Sequence, residues 1–355
     1  MNQIRIKFLL FLIFVTNYSQ GQVTDVVTGL NFPGGLAFYG NELYFSQTSD
    51  GIISKINVLS DPIIIEEIIN IGDVITDIEI IGNELYFANF QSDKISKINV
   101  NSQSPTIIDV LDVYKPWSLK SFGDFLYFSS GSGVDTLPNN GKVSFIDVLD
   151  DNPVPIEIIS NQAYTASLEI KDNFLYFSDP YANKIVQIDV SNTNYLATDF
   201  ITNLNTPLGL MFNGNILYIA ERDNNRIASV DVSSNPILIE DFITGLNGPV
   251  QTITNGTDMY IAENLAGKIS KSENTMLSVQ DIDFKKLNIF PNPTSDYIHL
   301  QGFKENSLIL IYDLSGNELY KKIMLSDQKI DISNFKNGYY FLRINKDTTF
   351  KIIKI

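Results

Sequence analysis

The chain of 355 residues contains no cysteine, one histidine and one tryptophan. Without cysteine no disulfide can staple the fold, so stability must come from the packed core and the chain topology. The lone histidine, His299, lies near the C-terminal end. Everything before it therefore lacks the base of a Ser-His-Asp triad, a Cys–His pair, and the nitrogen and sulfur ligands of ordinary zinc or copper sites. Chemistry in that part would fall to carboxylates or to a cation held by oxygen. Positive charge is also scarce: 25 lysines and arginines face 41 acidic residues, a net charge of −16. Such a balance disfavours nucleic acid and anionic membranes as partners.

Long apolar runs are nearly missing too. The one at 8–15 (FLLFLIFV) follows Arg5 and Lys7 and gives way to small and polar residues ending at Gly21. This is the layout of a secretory signal peptide over 1–21, too short to cross a bilayer as a helix, with cleavage expected before Gln22. Losing Arg5 and Lys7 takes the net charge to −18. The exported chain is expected to be soluble and monomeric, with no transmembrane segment.

What the sequence has in abundance is repetition. ELYFSQ at 42–47, ELYFAN at 84–89, FLYFSS at 125–130, FLYFSD at 174–179, ILYIAE at 216–221 and DMYIAE at 258–263 recur every 41 to 49 residues. Around each lie a preceding apolar run, a Gly-Asn or Gly-Asp turn, a third strand such as KIVQIDV at 184–190, and an Ile-rich fourth strand such as DPIIIEEII at 61–69. A period near 40 built from short strands predicts an all-β fold, a six-bladed β-propeller over 22–274. The residue two after each repeat tyrosine is always Ser or Ala, as a crowded taper requires. The last copy lacks a fourth strand, and the segment DVVTGLN at 25–31 mirrors DFITGLN at 241–247. Residues 24–29 are thus expected to complete the sixth blade and hide its edge.

The blade pattern stops over a linker at 275–286. A second unit at 287–355 carries short alternating strands with turns at Pro291-Asn292-Pro293, Ser315-Gly316-Asn317 and Asn337-Gly338. It reads as a small β-sandwich of the Ig-like kind.

This terminal unit resembles the type A C-terminal sorting domain of the Bacteroidetes type IX secretion system. The resemblance rests on Pro291, Asn292 and Pro293 opening the first strand, Asp313 and Gly316 in IYDLSG, Gly338 and Tyr339 in NGYYF, and the basic finish with Lys351 and Lys354. It implies Sec export, passage through an outer-membrane translocon, and removal of the domain by a sorting peptidase. The product would be secreted or held on the outer cell surface. The six copies resemble NHL and YWTD propeller repeats, with LYFSDPYANKIVQIDV at 175–190 and LYIAERDNNRIASVDV at 217–232 as the best matches. Those motifs mark the fold and leave the function open.

Two candidate sites follow. The residues three after the repeat tyrosines and those nine before them predict a polar cluster of Asp77, Asn89, Asp179, Glu221 and Glu263 at one mouth of the channel. It would suit a hard cation such as calcium, as in the lactonase and phosphotriesterase propellers that the chain also resembles. Against those enzymes, Asn31 stands where their pattern has a Glu before Pro33, and Leu208 where it has an Asn before Gly209. In NHL and YWTD units, the acidic residue after the LYF strand is commonly structural. The second site lies on the loops. The third blade carries an enlarged loop, 131–141, and Trp117, Tyr114, Tyr181, Arg222 and Asp135 come from loops of that same face. Aromatic rings beside polar groups are what a glycan, peptide or protein ligand uses. The leading expectation is a non-catalytic binding module without a cofactor. A calcium-dependent hydrolase and an adhesion module of a surface assembly are the alternatives.

Overall fold

The computed structural model describes residues 23–131, 140–190, 195–273, 288–301, 307–313, 317–324, 328–344 and 348–355. The signal segment, the linker, Asp135 and Gly316 lie outside the described residues. The chain divides into two compact units, Met1–Met276 and Leu277–Ile355.

The first unit is a propeller of six four-stranded antiparallel sheets. In blade 1 the strands run Pro33–Tyr39, Glu42–Gln47, Ile52–Asn57 and Glu66–Asn70. The innermost strand of each blade packs on that of the next, and the sixth returns to the first. The sixth sheet is closed by the N-terminus. Val23–Thr28 pairs antiparallel with Lys268–Ser272 as its outermost strand, and Asp25 bonds Lys268 at 2.7 Å.

The repeat tyrosine explains why blades need neighbours. Tyr44 of blade 1 packs in a cluster with Ile75, Ile78, Leu85 and Phe87 of blade 2, and Tyr260 of blade 6 packs with Leu36, Leu43 and Phe45 of blade 1. Each ring is covered only when the adjoining blade is present. The small residues two positions later do more than fit a taper. Ser129 Oγ accepts from its own blade's Ser118 amide at 3.1 Å and donates to the Ala166 carbonyl of the next blade at 3.0 Å. Ser178 likewise accepts from the Ser167 amide and donates to the Leu208 carbonyl.

One strand expectation needs correction. The fourth strands are shorter than their Ile-rich runs: in blade 1 the strand is Glu66–Asn70, and Ile64 in the run before it is 71% exposed. Ile63, by contrast, packs against the core. The outermost strand has solvent along one edge, so Ile64 and Ile65 stay exposed while Ile63, Ile68 and Ile69 find apolar cover.

The second unit is a small sandwich. One sheet holds Asn288–Phe290, Tyr297–Gln301 and Gln328–Asp331; the other orders Glu318–Met324, Ser307–Tyr312, Gly338–Ile344 and Thr348–Lys354. Ile298, Leu300, Ile309, Ile311 and Leu342 fill its core. The motifs from its two ends meet. Asn292 Nδ2 donates to the Lys351 carbonyl at 2.8 Å, and its Oδ1 accepts from the Ile353 amide at 2.9 Å. The adjacent Thr294 exchanges backbone bonds with Ile353 and Ile355. Among the described residues no helix is long and apolar enough to cross a membrane.

Candidate functional site: the axial funnel

Each innermost strand is the unpaired edge of its sheet, so its amides need acceptors from elsewhere. The previous blade supplies several. Asp77 Oδ2 accepts from the Leu119 amide at 3.0 Å and from Ser118 Oγ at 2.9 Å; Ser118 Oγ accepts from the Leu168 amide, and Ser167 Oγ from the Leu210 amide. Two blades have glycine at this position. Beyond Gly35, Asp77 turns back to accept from its own Ile78 amide, and beyond Gly209, Gln251 does the same for Thr252.

These six equivalent positions, 35, 77, 118, 167, 209 and 251, all line one cavity of about 550 Å³. Its rim comes from the loops between second and third strands and between blades, with Phe32, Trp117, Tyr164, Tyr181 and Arg222 among the lining residues. A β-bulge in the pairing of five of the innermost strands, as between Pro33 and Leu36, interrupts the ladder beside this opening.

One side of the funnel wall is a run of aromatic rings. Trp117 meets Tyr164 at 5.6 Å and Tyr164 meets Tyr181 at 4.9 Å between ring centroids, and Phe90, which does not itself line the cavity, meets Trp117 at 5.5 Å, all edge to face. Such pairs hold each other's orientation and contribute about 1 kcal/mol each beyond simple burial. Tyr164 is itself buried, whereas Tyr181 is 67% exposed and offers its ring to the opening. Tyr164 was not among the sequence candidates. It lies in a loop outside the repeated phrase, in AYTAS at 163–167, and no spacing rule singles it out.

Of the candidates expected on loops, Trp117, Tyr181 and Arg222 share the funnel, but Trp117 belongs to the innermost strand of blade 3, Pro116–Phe122, and not to the loop before it. Tyr114 does not: it lines a separate cavity of about 460 Å³ with Asp112, Lys142 and Glu157.

The predicted polar cluster does not assemble at the channel mouth. Asp77 alone of the five lines the funnel. Glu221 is fully buried, takes the Asn205 amide at 2.8 Å and Asn224 Nδ2 at 3.1 Å, and pairs with Arg226. Glu263 accepts from the Asn247 amide at 2.7 Å and Ser270 Oγ at 2.5 Å, with Lys268 beside it at 3.4 Å. Asp179 caps its own loop by accepting from the Tyr181 and Ala182 amides, and Asn89 donates to Ser96. The physical reason is the end of the second strand. A side chain there reaches the third strand and the inter-blade loop, whose orphan amides capture it before it can face the axis. Among the described residues no three acidic or histidine side chains group as metal ligands do.

Burial sets the titration of the remaining acids. Desolvation pushes Asp77 up to about 7 despite the Leu119 amide and Ser118 hydroxyl that oppose it. Burial also raises Glu169, against the pull of Lys120, which bonds it at 2.8 Å. Asp179 is raised for the same cause, more than its loop amides offset.

Residues 288–355 match the family of secretion system C-terminal sorting domains. No curated protein matches the chain. Among solved structures, a luciferin-regenerating enzyme is 13% identical with a TM-score of 0.60, covering 71% of this chain and 94% of its own. Virginiamycin B lyase from Staphylococcus aureus is 18% identical at a TM-score of 0.51, over 79% and 94%. An auxiliary nutrient binding protein from Bacteroides thetaiotaomicron is 13% identical at 0.55, over 68% and 69%. At such identities the likeness shows the fold and no activity. The protein is thus a β-propeller that ends in a sorting domain. More particularly, that domain is the type IX kind, which directs export to the cell surface or the medium.

Proposed function

We propose that the propeller is an exported, non-catalytic binding module whose ligand is a small molecule seated in the axial funnel. The observation that carries this reading is the ring run Trp117–Tyr164–Tyr181 along the funnel wall, with Phe90 packed on Trp117. Rings from the strand Pro116–Phe122 and from two loops already pack on one another there, so little conformational freedom is lost when a ligand arrives. The volume, about 550 Å³, falls in the range of small-molecule sites, and Ser118, Ser167 and Gln251 at its floor add polar groups that orient a ligand. The hydrolase reading loses support because all five of its supposed ligands serve backbone amides or neighbouring side chains, and only Asp77 among them lines the funnel. Adhesion would share the export route and differ only in partner.

Trp117 is the only tryptophan, so its emission reports on the funnel directly. Titrating the full chain with panels of sugars, short peptides and aromatic acids is expected to give a saturable emission change with at least one. Tyr181→Ala should weaken that binding at an unchanged unfolding temperature, because the ring is mostly exposed. A flat response across all the panels, or product formation from the bound compound, defeats the proposal.

A further inference from the structure

The propeller is rich in acid, and its cations are almost all spoken for. Among the described propeller residues every lysine and arginine except one has a carboxylate within 4.0 Å. The exception is Arg222. It sits half-buried on the loop that follows the second strand of blade 5 and lines the funnel, where it is the only cationic side chain among the described residues. Its neighbour Asp223 does not neutralise it: Asp223 Oδ2 accepts from Thr206 Oγ1 at 2.6 Å instead. The other acid of the lining, Asp77, points both oxygens at amides and a hydroxyl of the innermost strands.

An unpaired guanidinium beside an aromatic wall defines a chemistry. Its fork of N–H donors matches a carboxylate in two parallel bonds, and the rings of Trp117 and Tyr181 offer faces and edges to a cyclic body. We infer that the funnel takes a ring-bearing carboxylate, with the acid group on Arg222 and the ring against Trp117 and Tyr181. This rests on the funnel being the binding site. The chain's overall negative charge repels such an anion at long range. At physiological salt that repulsion is screened beyond about 8 Å, whereas the contact with Arg222 is not.

Two sources share this chemistry, a sugar acid and an aromatic acid, and paired titrations separate them. The full chain is titrated, following Trp117 emission, with galacturonate and glucuronate against galactose and glucose, and with benzoate against benzyl alcohol. In at least one pair the acid is expected to bind about tenfold or more tightly than its neutral parent, the usual worth of a charge-assisted bond. The pair showing the gap identifies the ring. Arg222→Gln should close that gap and leave the unfolding temperature unchanged because no ion pair is lost. If acid and neutral members bind alike, or the gap survives Arg222→Gln, the carboxylate inference falls while the funnel reading stands. Silence from every member, acid and neutral, overturns both.

Discussion

Gly35 and Asp77 occupy equivalent positions on neighbouring innermost strands, and the first makes room for the second. A Cβ at residue 35 would lie 2.6 Å from the Ile78 nitrogen and 2.8 Å from Asp77 Oδ1. The missing side chain lets Asp77 fold back onto its own Ile78 amide. Gly209 and Gln251 repeat the arrangement between blades 5 and 6, with Gln251 Oε1 at 2.6 Å from the virtual Cβ. Because the nearest obstacle at residue 35 is backbone, it cannot move aside cheaply. Gly35→Ala is therefore expected to cost about 1–3 kcal/mol in denaturant unfolding. An unchanged midpoint would show that the blades separate freely there.

Asp77 should make stability depend on pH. Its folded-state pKa, about 7, lies above the ordinary 3.8. Between those values the folded chain keeps a proton that the unfolded chain has lost. The contribution is thus neutral below pH 4, destabilising as pH rises towards 7, and fully destabilising above it. The whole effect is at most about 4 kcal/mol. Asp77→Asn removes this titration, so the fall in stability between pH 4.5 and pH 8 should be smaller in the variant than in the parent. Equal falls would mean that Asp77 stays ionised in the fold.

Ring closure predicts a large effect from a small deletion. Removing residues 23–28 uncovers the Lys268–Ser272 edge, deletes buried Val27 and breaks the Asp25–Lys268 pair. The loss should exceed about 2 kcal/mol from Val27 burial alone, and the exposed edge should promote association. Thermal unfolding with light scattering reads both.

Glu221 and Arg226 test the structural role of the second-strand acids. Arg226→Ala leaves the fully buried Glu221 with its backbone and Asn224 partners but no counter-charge, an expected loss of about 3 kcal/mol. Calcium should not shift the parent's unfolding temperature, since these acids already have protein partners. A rise of several degrees with calcium would restore the cation site.

In the sorting domain, Asn292 holds the last strand through the Lys351 carbonyl and Ile353 amide. Asn292→Ala should reduce release into the medium, and deletion from Gly338 onward, which removes two strands of one sheet, should abolish it. Immunoblots of periplasm and medium provide the readout. Normal release of the deletion would contradict export through this domain.

The blade count, the closing strand and the sorting motifs were legible because each is written in local patterns. A strand of alternating cover, a Gly-Asn turn and a repeated phrase act over a few residues, and DVVTGLN mirrors DFITGLN at five of seven positions, with apolar residues at the other two, where both feed an outer strand. The site was only half legible. Trp117, Tyr181 and Arg222 could be assigned to one face, since blade order alone places their loops together. Tyr164 carried no repeated spacing, and Tyr114, just ahead of the strand that bears Trp117, lines another cavity.

The sequence by itself determined which residues pair into blades, how many blades there are, and that an exported propeller precedes a sorting unit. Tertiary structure alone decided where the polar side chains at the blade tips point. Glu221 and Glu263 reach the orphan amides of Asn205 and Asn247, brought near only when one blade joins the next, and those bonds keep the carboxylates off the axis. Arg222 stayed unpaired for the converse reason. Of the two acids adjacent to it in sequence, Glu221 is taken by Arg226 and the Asn205 amide, and Asp223 is held by Thr206 of the preceding inter-blade loop, partners that the assembled ring supplies.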